Sequence, residues 1–457
     1  MSLNKISKKS KLWPDWILTA IAGIPAILFY YFLVNTAFNL PIHDDYSLLN
    51  FVNTFSEIND LTSKIIFIFS FQHNEYKLIF VNAIFAVQYT LLGHIDFFIL
   101  SMIGNAFVII IYILIVKNFK TFSNSNLIRL MALFPISLLL FQLQYASTMN
   151  FSMAGIQNLS VIAFSLACIS LLSNNSHRRF TAACIALVFA VCASGNGFLL
   201  LPVGILLMIE RKRWLHIIIW VILGLAIAAI YFNNYSIKNS TQHVDSARLV
   251  ELLFLINPLY ILAFIGSSIA KYQNHIPSVG LGVVLIIIWC VAIKNKYFKK
   301  NPPVFYFSIF LIFTAIAVST LRSSLGIEQS LASRYRIYSN LILILTYIFL
   351  MECYVERWEN KKIQNLFLCI SILFSAIFYS MSNSAGFRFL QGRQQAIAYE
   401  MSVWKTAVLK QTVQINVLQD WNFDPAVTRQ LEIGIYKPAT DPLLNSIRLG
   451  VYSPPIY

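Results

Sequence analysis

The chain has 457 residues, 58% of them hydrophobic and only 12% charged, with a formal net charge of +15. A soluble domain carries roughly 25% charged residues, so this balance excludes a soluble globular enzyme. Apolar runs of about 20 residues recur from end to end and predict an all-α polytopic membrane protein.

The positive charge gathers in short loops between those runs, among them Arg178-Arg179, Arg211-Lys212-Arg213, Lys294 to Lys300 and Arg357 to Lys362. That placement orients a chain with its basic loops in the cytoplasm against anionic lipid. No basic and aromatic module for nucleic acid accompanies it. The six cysteines lie within or at the ends of apolar runs, where they predict neither a disulfide framework nor a zinc site.

In chain order, Lys5, Lys8, Lys9 and Lys11 precede the apolar run 13–34. That run is too long for a signal-peptide core and reads as a retained anchor with its N-terminus inside. The chain emerges outside at Ile42-His43-Asp44-Asp45-Tyr46. From 48 to 69, apolar residues recur at three- and four-residue steps, with Asn50, Asn53, Glu57, Asp60 and Lys64 opposite. This predicts one helix lying flat in the interface, leading to a second polar knot, Gln72-His73-Asn74-Glu75-Tyr76-Lys77.

Segment 78–92 reads as re-entrant or as a half-helix within the outer leaflet, and 252–270 is likewise not counted as a span, because counting them as crossings would set the basic loops outside. The spans are then 12–35, 97–116, 130–146, 157–173, 181–194, 198–210, 214–232, 277–294, 303–320, 336–354 and 363–381, eleven crossings with the C-terminus outside. The short pieces 181–194 and 198–210 meet at Ser194-Gly195-Asn196-Gly197, a turn expected at the floor of a water-filled cavity. Residues 1–386 form the transmembrane domain, with 36–77 as its first outer loop, and 387–457 a small outer cap packed on the outer loops.

Four groups of residues carry candidate chemistry. Asp44 and Asp45 are carboxylates at the membrane surface, able to act as general base or to bind metal; the alternative is a solvated loop capping the interfacial helix. His73 and Glu75, with Lys77 beside them, are placed to bind a polar substrate, to share a metal with the aspartates, or to form a plain polar turn. Arg322, Arg334 and Arg336 break the positive-inside trend by facing outward. Guanidinium groups grip phosphate through a planar fork, though arginines also snorkel to lipid headgroups. Asn196 either hydrogen-bonds a substrate or simply makes a turn.

The succession Asp44-Asp45, His73-Asn74-Glu75-Tyr76-Lys77, Ser194-Gly195-Asn196-Gly197 and Ser333-Arg334-Tyr335 resembles the GT-C superfamily of polytopic glycosyltransferases. Within it, the likeness is to bacterial inner-membrane proteins that include relatives of the O-antigen-glucosylating enzymes. The likeness covers most of the membrane part and, loosely, Tyr436-Lys437-Pro438. In that group a second histidine and an arginine often follow the His-Asn-Glu, where Tyr76 and Lys77 stand here.

The resemblance implies a GT-C-like bundle in a bacterial inner membrane, taking a sugar from a polyprenyl-phosphate carrier to an acceptor glycan or glycolipid on the periplasmic face. Asp44 or Asp45 would be the base, and Arg334, helped by Arg322 or Arg336, would hold the phosphate. His73 and Glu75 would orient sugar or a divalent metal such as Mg or Mn. The rivals are an O-antigen polymerase or ligase, which more often relies on arginines and a histidine in late outer loops, and a lipid or solute transporter, which needs charges buried mid-span.

Overall fold

The computed structural model describes residues 14–74, 76–120, 125–236, 257–270, 274–358, 360–409 and 437–453. Within these the chain is helical, and the sole extended pairing is an isolated bridge between His73 and Tyr76. Glu75, residues 252–256 of one segment expected not to span, and residues 410–436 and 454–457 of the expected C-terminal cap lie outside the described residues.

The protein is a membrane protein. Eight helices or helix pairs are long and apolar enough to cross a bilayer, and a ninth span results if the bent pair α1 (Asp15–Ala22) and α2 (Ile24–Thr36) counts as one. That pair bends by 50° at Gly23. In chain order come α3 (Asp45–Glu57), α4 (Leu61–Ser70), α5 (Ile79–Leu92), α6 (Phe97–Asn118), α7 (Asn126–Leu140), α8 (Ala146–Met149), α9 (Ser152–Leu172), α10 (His177–Ala193), α11 (Leu200–Glu210) and α12 (Trp214–Phe232). After the next gap follow α13 (Pro258–Ile265), α14 (Ile276–Lys294), α15 (Tyr297–Lys300), α16 (Pro302–Arg322), α17 (Ser333–Cys353), α18 (Lys361–Leu409) and α19 (Lys437–Arg448). At about 1.5 Å per residue a span of twenty residues covers the hydrocarbon core.

Burial ranks these helices. The most apolar stretch of α17 is 78% buried, whereas those of α12, α14 and α18 are 22%, 28% and 17% buried. α17 is therefore the central post, and the other three turn apolar flanks outward. Lipid tails offer no hydrophobic drive for helices to associate, so close backbone approach has to do it. At the α13–α14 crossing, a Cβ on Gly282 would lie 2.0 Å from the Leu262 carbonyl oxygen, and one on Gly266 1.9 Å from that of Ser278. Only glycine fits at either point.

The predicted interfacial helix is two helices. Asp60 takes extended backbone and its Oδ1 accepts from Ser63 N at 2.7 Å, capping α4 and ending continuity with α3. The halves differ. α3 buries Leu48, Leu49, Phe51, Val52 and Phe55, while α4 buries none of its residues and exposes Leu61, Ile65, Ile66 and Phe69.

The described part of the C-terminal segment seats against α3. Ser446 Oγ donates to Asn53 Oδ1 at 2.9 Å, Asn53 Nδ2 donates to the Pro442 carbonyl at 3.1 Å, and Ile95 N donates to the Val451 carbonyl at 2.7 Å. The domain boundary expected near residue 386 falls inside α18, which continues to Leu409.

Polar residues mark the two ends of the bundle. At one end α6 finishes at Lys117-Asn118, where Asn118 Oδ1 accepts from Ser170 Oγ of α9 at 3.1 Å. Beyond α9, Arg213 Nη1 donates to the Leu172 and Asn174 carbonyls at 3.2 and 3.1 Å. The basic loops sit at this end. The two acidic knots sit at the other, where α6 begins: Phe97 N donates to Asn39 Oδ1 at 2.8 Å, and Tyr452 Oη to the Asn39 carbonyl at 2.7 Å.

Candidate functional site

The two aspartates part at the start of α3. Successive residues of a helical turn point about 100° apart, so Asp44 and Asp45 cannot share a face. Asp45 turns inward and is fully buried. Its Oδ2 accepts from Ile42 N at 3.1 Å, and its Oδ1 from Met153 N at 2.9 Å, in the first turn of α9. A carboxylate on the positive end of a helix is a stable arrangement, and here it locks the loop onto the bundle. Burial pushes the Asp45 carboxyl up to about 7, against the downward pull of the Met153, Ile42 and Ser152 amides, with the charge of Asp44 adding to the rise.

Asp44 faces out, with 44% of its side chain exposed. Its Oδ1 lies 3.5 Å from Nε2 of His73, a side chain only 11% exposed. Burial draws the Asp44 carboxyl up, but the His73 hydrogen bond and the positive charges of His73, His43 and Arg334 outweigh it and leave it below its ordinary value. Asp44 is thus the ionised, accessible carboxylate of the pair.

His73 is held on three sides. Its Nδ1 meets Ser47 Oγ at 2.8 Å, and its Nε2 meets Asn74 Nδ2 at 3.0 Å as well as Asp44. The ring is thus a fixed companion to Asp44. Both knots use left-handed backbone at a non-glycine residue, His43 at φ 47° and Asn74 at φ 49°. His73 and Tyr76 close the second turn by exchanging backbone hydrogen bonds, each 2.9 Å. Backbone in this region is uncommon for side-chain-bearing residues and recurs at functional sites.

The late arginines meet these early knots. The charge of Arg334, at the start of α17, is felt at Asp44. Arg322, at the end of α16, donates from Nη2 to Tyr76 Oη at 3.2 Å. Both guanidinium charges also reach Tyr260 of α13. Arg334 lies over the Tyr335 ring, 5.1 Å from its centroid, and its buried Nε has no hydrogen-bond partner among the described residues. Arg336 differs. Two residues further along the helix it points about 200° away, and its Nε donates to the Leu331 carbonyl at 3.3 Å.

Lys77 is fully buried, its ammonium donating to the Asn233 carbonyl and its backbone N to Tyr231 Oη at 3.2 Å. Burial holds that amine below its ordinary value. Tyr231 in turn reaches the Ser194-to-Gly197 turn, because a Cβ on Gly195 would sit 3.9 Å from its hydroxyl. Asn196 stands beside the Tyr338 hydroxyl. The structure therefore pairs Asp44 with His73 and Arg322 with Tyr76, commits Lys77 to the Asn233 carbonyl, sets Asn196 beside Tyr338, uses Asp45 to anchor the first knot, and turns Arg336 aside.

Among the described residues no group of three or more His, Cys, Asp or Glu is arranged to hold a metal. Asp44 and His73 supply two donors, and Asp45 is committed to backbone amides. Glu75, the fourth expected ligand, lies outside the described residues, and no step below uses a metal.

Ser47, Tyr231, Tyr260 and Tyr338 join the site without having been singled out by sequence. The tyrosines sit at span ends, where aromatic residues usually anchor the interface. Ser47 lay within reach, three residues after Asp44, on the helical repeat that aligns it with that carboxylate.

Comparison of the chain with protein-family models, with curated proteins and with solved structures found no match. The GT-C resemblance accordingly rests on the four motifs and their order.

Proposed function

We propose that this protein is a membrane glycosyltransferase of GT-C type, moving a sugar from a polyprenyl-phosphate carrier to an acceptor glycan or glycolipid on the periplasmic face of a bacterial inner membrane. The observation that carries the reading is the hydrogen bond from Arg322 Nη2 to Tyr76 Oη at 3.2 Å, which ties a late arginine to the early knot whose His73 holds the accessible Asp44. Sugar transfer needs a base for the acceptor hydroxyl and cations for the departing phosphate. Asp44 takes the acceptor proton as the new bond to the anomeric carbon forms. The bond from that carbon to the carrier phosphate oxygen breaks, and the released phosphate monoester gains charge beside Arg334 and Arg322. His73, pinned by Ser47 and Asn74, holds Asp44 in place.

In this reading the basic end faces the cytoplasm, the α1–α2 pair counts as one span, and α10 and α11 add two short crossings that meet at Asn196. The total is then eleven. α4, with its exposed Leu61, Ile65, Ile66 and Phe69, lies in the outer interface.

The test is a transfer assay in liposomes holding purified protein and glucosyl undecaprenyl phosphate, read as free undecaprenyl phosphate and glycosylated acceptor. Mass spectrometry of surface glycan from cells with and without the gene supplies the acceptor. A glycan unchanged on deletion, together with a carrier left intact in liposomes, overturns the proposal.

A further inference from the structure

The cations at the basic end fall into two groups. Around Glu352 they are committed to the fold: Lys120 Nζ donates to the Lys300 carbonyl at 2.6 Å, and the Lys300 ammonium to that of Glu352. The second group lies on two turns, residues 173–180 between α9 and α10 and residues 210–216 between α11 and α12. These turns carry Arg178, Arg179, Arg211, Lys212 and Arg213 against a single acid, Glu210. Side chains lace them together. Arg213 bonds the carbonyls of Leu172 and Asn174, and Arg211 Nη1 donates to Asn175 Oδ1 at 3.2 Å. The His177 and His216 rings stack with centroids 5.4 Å apart. The Phe180 ring lies 4.5 Å from that of His216 and 5.6 Å from the Arg213 guanidinium. α10 and α12 therefore begin side by side.

The charge gathered there is poorly cancelled. Glu210 lies 4.0 Å from Arg211 Nε, the outer limit of an ion pair, and Arg178, Arg179 and Lys212 are exposed. Burial and the charge of Arg211 together hold the Arg213 guanidinium below its ordinary value. Neither α10 nor α12 has an acid in its first turn, so the positive ends of two helices add to the excess. Like charges held this close are relieved by an anion from outside the chain. The same helix also offers a surface for lipid tails. Leu215, Ile218, Ile222 and Leu225 of α12, at three- and four-residue steps on one face, are 57% to 67% exposed. Exposed Trp214 stands between cations and apolar face, the level at which an indole meets headgroups. We propose that the starts of α10 and α12 bind an anionic phospholipid as a defined ligand. Its phosphate lies among Arg178, Arg179, Arg211 and Arg213, and its acyl chains run along the outward face of α12. The charge excess is more than one phosphate cancels, so a headgroup with two phosphates is preferred. Basic loops in general are drawn to anionic lipid; the laced turns and the apolar face beside them make this one a seat. The proposal stands independently of the transfer reading.

The experiment is native mass spectrometry of the purified full chain in detergent, titrated with cardiolipin, phosphatidylglycerol and phosphatidylethanolamine, with pyrophosphate as competitor. Cardiolipin should bind about tenfold more tightly than phosphatidylglycerol, phosphatidylethanolamine should bind weakest, and added salt should loosen the first two. Replacing two exposed cations together, Arg178→Gln with Arg179→Gln, should weaken cardiolipin about thirtyfold. Lys294→Gln with Lys299→Gln removes the same charge from another loop, where both lysines are exposed, and should leave cardiolipin binding unchanged. If the arginine pair does not yield monodisperse protein, Lys212→Gln takes its place, with a loss of about fivefold expected.

Equal affinity for cardiolipin and phosphatidylethanolamine overturns the proposal. So does an equal loss in the arginine and lysine pairs, which would reduce the effect to the diffuse field of all the basic loops. Displacement of cardiolipin by an equal concentration of pyrophosphate also overturns it, since the cations would then serve a free phosphate and not a lipid.

Discussion

One helix carries a buried polar knot at each end, and the two knots are built on opposite principles. At the basic end, Glu352 of α17 is fully buried with every carboxylate oxygen engaged. Oε1 accepts from Lys120 N at 3.0 Å and from Asn301 Nδ2 at 2.8 Å, and Oε2 from Tyr297 Oη at 2.8 Å. The Lys300 ammonium donates to the Glu352 carbonyl, while Asn301 Nδ2 also reaches the Asn118 carbonyl at 2.9 Å. This knot ties the ends of α6, α16 and α17 together and leaves nothing for a ligand. About 27 Å away along the same helix, Arg334 lies over the Tyr335 ring and its buried Nε has no hydrogen-bond partner among the described residues. Saturation marks a structural knot, because removing a partner strands the others. An unpaired guanidinium nitrogen leaves capacity that the Glu352 knot does not have, although Arg211 Nε and Arg213 Nη2 are also unpaired at the basic end.

Substitutions can break this contrast. The largest effect is expected at Asp44: Asp44→Asn should lower transfer by about 10²- to 10⁴-fold while costing only the small stability of a partly exposed ion pair, as read in the liposome assay and a thermal scan. Next comes Glu352→Ala, which strands Lys120 N, Tyr297 and Asn301 and should cost roughly 3–5 kcal/mol. The readout is loss of monodisperse protein on size exclusion, and a normal yield of this variant would sink the structural assignment. Arg334→Lys keeps the charge but loses the fork, and should weaken transfer about tenfold at unchanged stability. A drop in stability matching that of the Glu352 variant would erase the distinction between the two ends.

A smaller effect concerns the aspartate that does not face the substrate. Asp45 has a folded-state value raised from 3.8 to about 7, so between those pH values the folded chain holds a proton that the unfolded chain has released. Its contribution to stability is therefore fully present below 3.8 and lost as pH rises toward about 7. The slope is on the order of 1 kcal/mol per pH unit. Asp45→Asn should flatten that part of the pH–stability curve measured by thermal unfolding, and an unaltered curve would show that Asp45 is ionised throughout. Asp44 has the opposite sign: it supports stability above 3.8 and loses that support only as pH falls through its lowered value.

Much of this was legible in the chain. Hydropathy located candidate spans, and two of the residues it left as polar outliers, Asp44 and His73, lie side by side. What sequence could not resolve was direction. Asp44 and Asp45 are chemically identical neighbours, and only the docking of the loop on α9 decides which one is exposed. Arg334 and Arg336 are separated in the same way by the turn of one helix. The flat 48–69 helix continued too far because periodicity ignored Asp60, a residue type that caps helices as readily as it decorates them. Tyr260, Tyr338 and Glu352 lay inside apolar runs, where their partners, or the lack of them, come from helices distant in sequence.

The central claim is that Asp44 and Arg334 work as one site, and a double-mutant cycle on transfer rate tests it most directly. With Asp44→Asn and Arg334→Gln measured singly and together, the account predicts strong coupling: the double variant should be scarcely slower than the worse single one. Effects that multiply in full, or an Asp44→Asn protein that transfers sugar at the wild-type rate, would contradict it.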